Sequence, residues 1–273
     1  MEQFIQKLKN YVPILFDQNI VSEQELEELL IWYNDSLKKR GEEQHPQCFY
    51  DWINSANAGD QKSQSFLKFF NNTLVDLLNF YENGFPYEIV LKIRSTITTK
   101  QESFLDYLGE LLLITHLLKG FHKDCVLLGI DFKIGNNKDV DIAFKSGSHI
   151  QLIEIKNLHH LSKKIVGDTI QRKTIGKVSN KTKDYQLIKK YFDDHYPNCG
   201  VTLSIALFIW EDYAEIASQE FDTEKIRKAL GNDFLPPTTI ICENIQGLYV
   251  WRICPLDEAM KRYRDQKNIN EIS

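Results

Sequence analysis

Ten consecutive residues, Val201 to Trp210 (VTLSIALFIW), leave this chain few ways to fold. Strand side chains alternate between faces, so a β-rich run that is apolar on both faces reads as a central strand covered on each side. The segments before it supply the rest of a sheet. Ser103 to Lys119 (SFLDYLGELLLITHLLK) has the spacing of a buried helix, with Phe104, Leu105, Leu108, Leu111, Leu112 and Leu118 on its stripe, and Lys119-Gly120 ends it. Cys125 to Ile134 reads as a strand, and Gly135-Asn136-Asn137 turns the chain into a hairpin. Thr182 to Asp193 is again helical, with Tyr185, Leu187, Ile188, Tyr191 and Phe192 available for packing. The order is αβββαβ, and the expected class is α/β (α+β) with a central mixed sheet.

That hairpin, Lys138 to Asn157 (KDVDIAFKSGSHIQLIEIKN), carries the charge. Val140, Ile142 and Phe144 alternate with Asp139, Asp141 and Ala143. Lys145-Ser146-Gly147-Ser148 makes the turn, and Ile150 to Ile155 returns. Glu154 and Lys156 share one face of the return strand, and folding the hairpin brings the Asp139/Asp141 pair beside Glu154. A slip of one residue would send the aspartates to the other face. Carboxylates and a lysine at the end of apolar strands are costly unless something uses them. A divalent cation is the natural user: Mg²⁺ prefers carboxylate oxygens and keeps several waters, so two carboxylates leave positions for a phosphate and an attacking water.

Asp141, an apolar strand, a turn, and then Glu154-Ile155-Lys156 resemble the core motif of the PD-(D/E)XK nuclease superfamily, which includes restriction endonucleases and Holliday-junction resolvases. Val140 stands where the motif's name has proline, a position often varied in the superfamily. The resemblance covers about the last two thirds of the chain and identifies no closer family. It implies a restriction-endonuclease-like core, with Asp141 and Glu154 binding Mg²⁺ (Mn²⁺ able to substitute), the Ile155 carbonyl as a further ligand, and Lys156 as the catalytic lysine. In many members the helix before the first core strand gives a glutamate near the metals, and Glu110 is the matching position. Glu102 is a weaker candidate, since an acid near a helix start also complements the helix dipole. The implied activity is hydrolysis of DNA to 5′-phosphate and 3′-hydroxyl ends, in restriction, another genome-defence task or recombination. Many such nucleases dimerise to cut two strands, so a homodimer or a partner protein belongs to the expectation.

The net charge of −5 argues against wholesale polyanion binding, but charge is unevenly distributed. Between Asn157 and Lys190, Lys163, Lys164, Arg172, Lys173, Lys177, Lys181, Lys183, Lys189 and Lys190 face only Asp168 and Asp184. Basic residues immediately after the catalytic strand are well placed to neutralise backbone phosphates. Related nucleases often place a lysine or glutamine from the next helix near the site, and Lys183 and Gln186 are the candidates here. The adjacent His159-His160 cannot easily chelate one ion from an extended strand and fits a surface or phosphate-contact role better.

Residues 1–100 read as a helical N-terminal region and 101–273 as the nuclease-like domain. In the first, Phe4, Ile5, Leu8, Tyr11 and Val12 share a helix face, and Ser22 with Glu25 forms a capping box before Leu26, Leu29, Leu30 and Trp32. Arg40 to Asp60 reads as a linking stretch. A long helix runs from Phe66 through Tyr81 to Asn83-Gly84, and a shorter one, with Ile89, Val90, Ile93 and Ile97, follows Pro86. After Trp210, Phe221 to Leu230 reads as a helix, and Thr238 to Cys242 with Leu248 to Ile253 as strands.

Five scattered cysteines without C-x-x-C spacing suggest a reducing cytoplasm and no structural zinc. No apolar run approaches membrane-spanning length, and neither a G-x-x-x-x-G-K-[ST] nor a G-x-S-x-G motif is present. Two rivals to a DNA endonuclease follow from the same residues. One is a toxin-like RNase of the same fold, since lysines reading a backbone do not select the sugar. The other is a catalytically silent nuclease fold serving as a nucleic-acid-binding or assembly module.

Overall fold

The computed structural model describes residues 2–40, 48–100, 104–121, 125–134, 138–158, 171–172, 175–176, 179, 185–210, 222–230, 238–245 and 248–272. The chain divides into two compact units, one of residues 1–118 with 244–250 and the other of 119–243 with 251–273.

The first unit is helical: α1 (Glu2–Tyr11), α2 (Ile14–Asp17), α3 (Glu23–Arg40), α4 (Phe49–Asn57), α5 (Gln61–Leu78), α6 (Tyr87–Thr98) and α7 (Phe104–Phe121, its last residues in the second unit). Its core is aromatic. Phe66 of α5 lies against Trp52 of α4 with ring centroids 4.2 Å apart, and Phe70 meets Phe49 edge-on at 5.0 Å. The capping box at α3 is formed: Ser22 N–H donates to Glu25 Oε2 at 2.9 Å, and Glu25 N–H to Ser22 Oγ at 3.2 Å.

Two expectations change here. The stretch expected to link helices contains α4, whose Phe49, Tyr50, Trp52, Ile53 and Ala56 are buried and whose Asp51 accepts from the Cys48 N–H at 3.0 Å. The long helix stops at Leu78, before Tyr81 and Gly84. Within the first unit α7 meets α6 where Lys92 is ion-paired with Glu110 and lies 5.3 Å from the Tyr107 ring centroid.

The second unit holds most of a mixed sheet in the order β1 (Cys125–Ile134), β2 (Lys138–Ser146), β3 (His149–Leu158), β4 (Gly200–Trp210), β5 (Thr238–Ile245) and β6 (Leu248–Pro255). β1, β2 and β3 form an antiparallel meander. β4 runs parallel to β3 and to β5. The expected mixed α/β class is therefore observed, and β4 is as buried as its composition predicts, from Leu203 through Ile209. The helices α8 (Tyr185–His195), α9 (Thr223–Leu230) and α10 (Leu256–Ile272) lie after β3, and α10 covers the charged residues Asp257 to Arg264.

Gly147, in the left-handed region at φ 55°, closes the β2–β3 turn, and Ser146 pairs with His149 across it. α8 packs on the sheet through Ile188 and Phe192, which cluster with Ala143, Ile150, Leu152, Val201 and Leu203. β1 is irregular. Its register shifts between Leu127 and Gly129, Asp131 adopts φ 47°, and the Phe132 ring approaches Gly129 so closely that a Cβ there would lie 2.7 Å from it. Among the described residues Cys48, Cys125, Cys199 and Cys254 carry free thiols, and no helix is long and apolar enough to cross a membrane.

Candidate active site at the fork of β2 and β3

The β2–β3 ladder runs from Ser146↔His149 to Ile142↔Ile153. Continuing that register sets Asp141 opposite Glu154, and there the strands part. The Ile155 N–H, which a regular ladder would offer to a main-chain carbonyl of β2, donates instead to Asp141 Oδ2 at 2.6 Å. The carboxylate thus caps the end of the pairing with a charge-assisted hydrogen bond.

Lys156 brings the two acids together. Its Nζ donates to Glu154 Oε2 at 3.1 Å and to the Ile155 carbonyl at 2.8 Å, and lies 3.7 Å from Asp141 Oδ2. Three oxygens, two from carboxylates and one from the main chain, therefore converge on a single positive centre. Glu154 is fully buried, whereas Asp141 and Lys156 keep 20% and 16% of their side-chain surface. The fork opens to solvent on the Asp141 and Lys156 side and is closed behind Glu154. A buried carboxylate needs a counter-charge, and the ammonium supplies it.

Asp139 takes a different role from Asp141. It pairs across the strands with Lys133 of β1, Nζ to Oδ2 at 3.1 Å, in a largely exposed salt bridge. Of the two aspartates, Asp141 is the one that meets Glu154 at Lys156.

The oxygens around Lys156 fit a hard divalent cation in kind, being carboxylate and carbonyl donors gathered about one point. Among the described residues no group of three or more His, Cys, Asp and Glu side chains is arranged to hold a metal. The donor set is thus two carboxylates and a carbonyl, which leaves coordination positions to water and substrate.

Glu110 is buried on α7 and ion-paired with Lys92 of α6, itself buried. Lys92 was not singled out as a partner in the sequence, although a signal exists: it lies on the stripe that buries Ile89, Ile93 and Thr96, where a lysine requires an acid. Arg172 and Gln186 are exposed, Gln186 in the first turn of α8. Beside Arg172, the buried Gln171 accepts the Asp222 N–H through Oε1 at 3.1 Å, fastening that point of the basic segment to the start of α9. Lys163, Lys164, Lys173, Lys177, Lys181 and Lys183 lie outside the described residues, as do Glu102 and the His159-His160 pair.

No protein-family model, no curated protein and no solved structure matches the chain.

Proposed function

We propose that the protein is a Mg²⁺-dependent phosphodiesterase of PD-(D/E)XK type, with DNA as its substrate and endonucleolytic cleavage as its reaction. The observation that carries this reading is the convergence of Asp141, Glu154 and the Ile155 carbonyl on the Lys156 ammonium. It occurs at a strand fork, in a chain whose elements run α7-β1-β2-β3-α8-β4.

In this reading Asp141 and Glu154 hold the metal, with Ile155 O beside them. Bound there, the ion supplies Lewis-acid stabilisation of a phosphoryl oxygen. The Ile155 N–H fixes the Asp141 carboxylate through Oδ2. The burial of Glu154 keeps its carboxylate in one place. Lys156, at the solvent-facing side of the fork, orients the attacking water and offsets the charge that develops on phosphorus. Arg172, Gln186 and the lysines between Asn157 and Lys190 hold the substrate backbone. The resemblance would also give Glu110 a supporting role toward the metal; in its own unit Glu110 is ion-paired with Lys92. A setting in genome defence or recombination suits such an activity.

The test is cleavage of supercoiled plasmid and of a structured RNA, with Mg²⁺ or with EDTA, by wild type and Lys156→Ala. Metal-dependent cutting of DNA, lost by at least about a hundredfold in the variant, is the expected result. Cutting of RNA alone would make the protein an RNase. Metal binding without turnover of either would make it a binding module.

A further inference from the structure

The fork holds its own cation. Within the reading above, and resting on it, we infer that the Lys156 ammonium and the divalent metal compete for the same oxygens, so that metal loading displaces Lys156 and turns it toward the substrate.

The argument starts from the contacts of Nζ. Its two hydrogen bonds go to Glu154 Oε2 and Ile155 O, and its nearest further charge is Asp141 Oδ2. These are the three groups that would ligate the metal. An ammonium and a divalent cation cannot share the same lone pairs at close range, since each needs them as acceptors and the two repel. Glu154 cannot move out of the way, because it is fully buried beside the ammonium. Lys156 can. Its side chain keeps 16% of its surface against none for Glu154, and four rotatable methylenes allow the ammonium to turn outward.

Two consequences follow. The displaced ammonium loses its carboxylate partners and gains most from a new anion, so a phosphate backbone entering the fork stabilises the displaced state. Metal and polyanion therefore assist each other, by reciprocal coupling through a single side chain. In the absence of a metal the lysine also protects the fork, because Glu154 keeps a counter-charge.

The measurement is Mn²⁺ binding, followed by electron paramagnetic resonance without nucleic acid, to wild type, Lys156→Met, Lys156→Gln and Asp141→Asn, each checked for folding by circular dichroism. With the competitor removed, Lys156→Met is expected to bind Mn²⁺ about fivefold or more tightly than wild type, the scale of an ordinary coupling between sites. Lys156→Gln should do the same, which keeps the test intact if the methionine variant does not fold. Asp141→Asn should lose the binding. Equal or weaker affinity in the Lys156 variants, with wild type binding through Asp141, would overturn the competition while leaving the metal site standing. Binding unaffected by Asp141→Asn, or absent from wild type and the Lys156 variants alike, would overturn both.

Discussion

At the scale of single residues, Asp141 does two jobs that substitution can separate. Its carboxylate ends the β2–β3 ladder by accepting the Ile155 N–H at 2.6 Å, and it contributes charge to the fork. Asparagine keeps an acceptor for that N–H and removes the charge, so Asp141→Asn should abolish metal-dependent cleavage while costing under about 1 kcal/mol of stability in urea titration. Alanine removes both, and Asp141→Ala should cost about 2 kcal/mol, the range for a hydrogen bond to a charged group. Asp139→Asn should change neither cleavage nor stability by a comparable amount, because Asp139 meets Lys133 at an exposed position. Activity lost with Asp139→Asn and kept with Asp141→Asn would reverse the two assignments.

At the scale of elements, helix α5 illustrates what local chemistry contributes. Asp60 caps it, accepting the Ser63 N–H at 2.8 Å, and the Ser63 hydroxyl, then this N–H, hold the Asp60 carboxyl below its usual value. A carboxyl depressed in the folded state stabilises above its unfolded pKa, and that contribution is lost as pH falls through the folded value. Asp60→Ala should therefore destabilise by about 1 kcal/mol at neutral pH, measured by thermal or urea unfolding. The difference should shrink below about pH 4, where wild type loses the same bond. Glu25, held low mainly by the Ser22 N–H, adds to the acid sensitivity of the same unit. Such local devices are the part of the fold most legible in sequence. The Ser22–Glu25 box, the bounds of β1 and the face shared by Glu154 and Lys156 all follow from periodicity over a few residues, whereas the turn expected over Lys145–Ser148 is shorter, since Lys145 and Ser146 pair with Ile150 and His149. Helix α4 was hidden because its aromatic-rich face carries strand-like residues and follows Pro46. The fork was only half legible: alternation puts Asp139, Asp141 and Glu154 on one face, but that Asp141 lies opposite Glu154 and replaces a main-chain acceptor depends on the two-residue turn and on where the two strands separate. The Lys92–Glu110 pair joins two helices, and no pattern within either one names its partner.

For the whole molecule, charge is the property that matters most to a polyanion. Nine Lys and Arg against two Asp between Asn157 and Lys190 give that segment a surplus of seven positive charges, so the remainder of a chain of net charge −5 carries −12. A protein so divided should bind nucleic acid through counterion release at the basic segment, with little general affinity elsewhere. Affinity for DNA should fall about tenfold or more between roughly 50 and 200 mM salt. Replacing Lys163 and Lys164 by glutamine should flatten that slope; a slope unchanged by the pair would place phosphate contacts elsewhere. The order of strands carries a consequence of another kind, for the time course of folding. Asp141, Glu154 and Lys156 are gathered by a hairpin with a two-residue turn, whereas β4 reaches β3 only after the chain from Leu158 to Gly200 has been spanned. Local pairings close quickly and distant ones slowly. The contacts that gather the fork are therefore the local ones, and the β3–β4 pairing beside them is the one that carries the larger loop-closure cost.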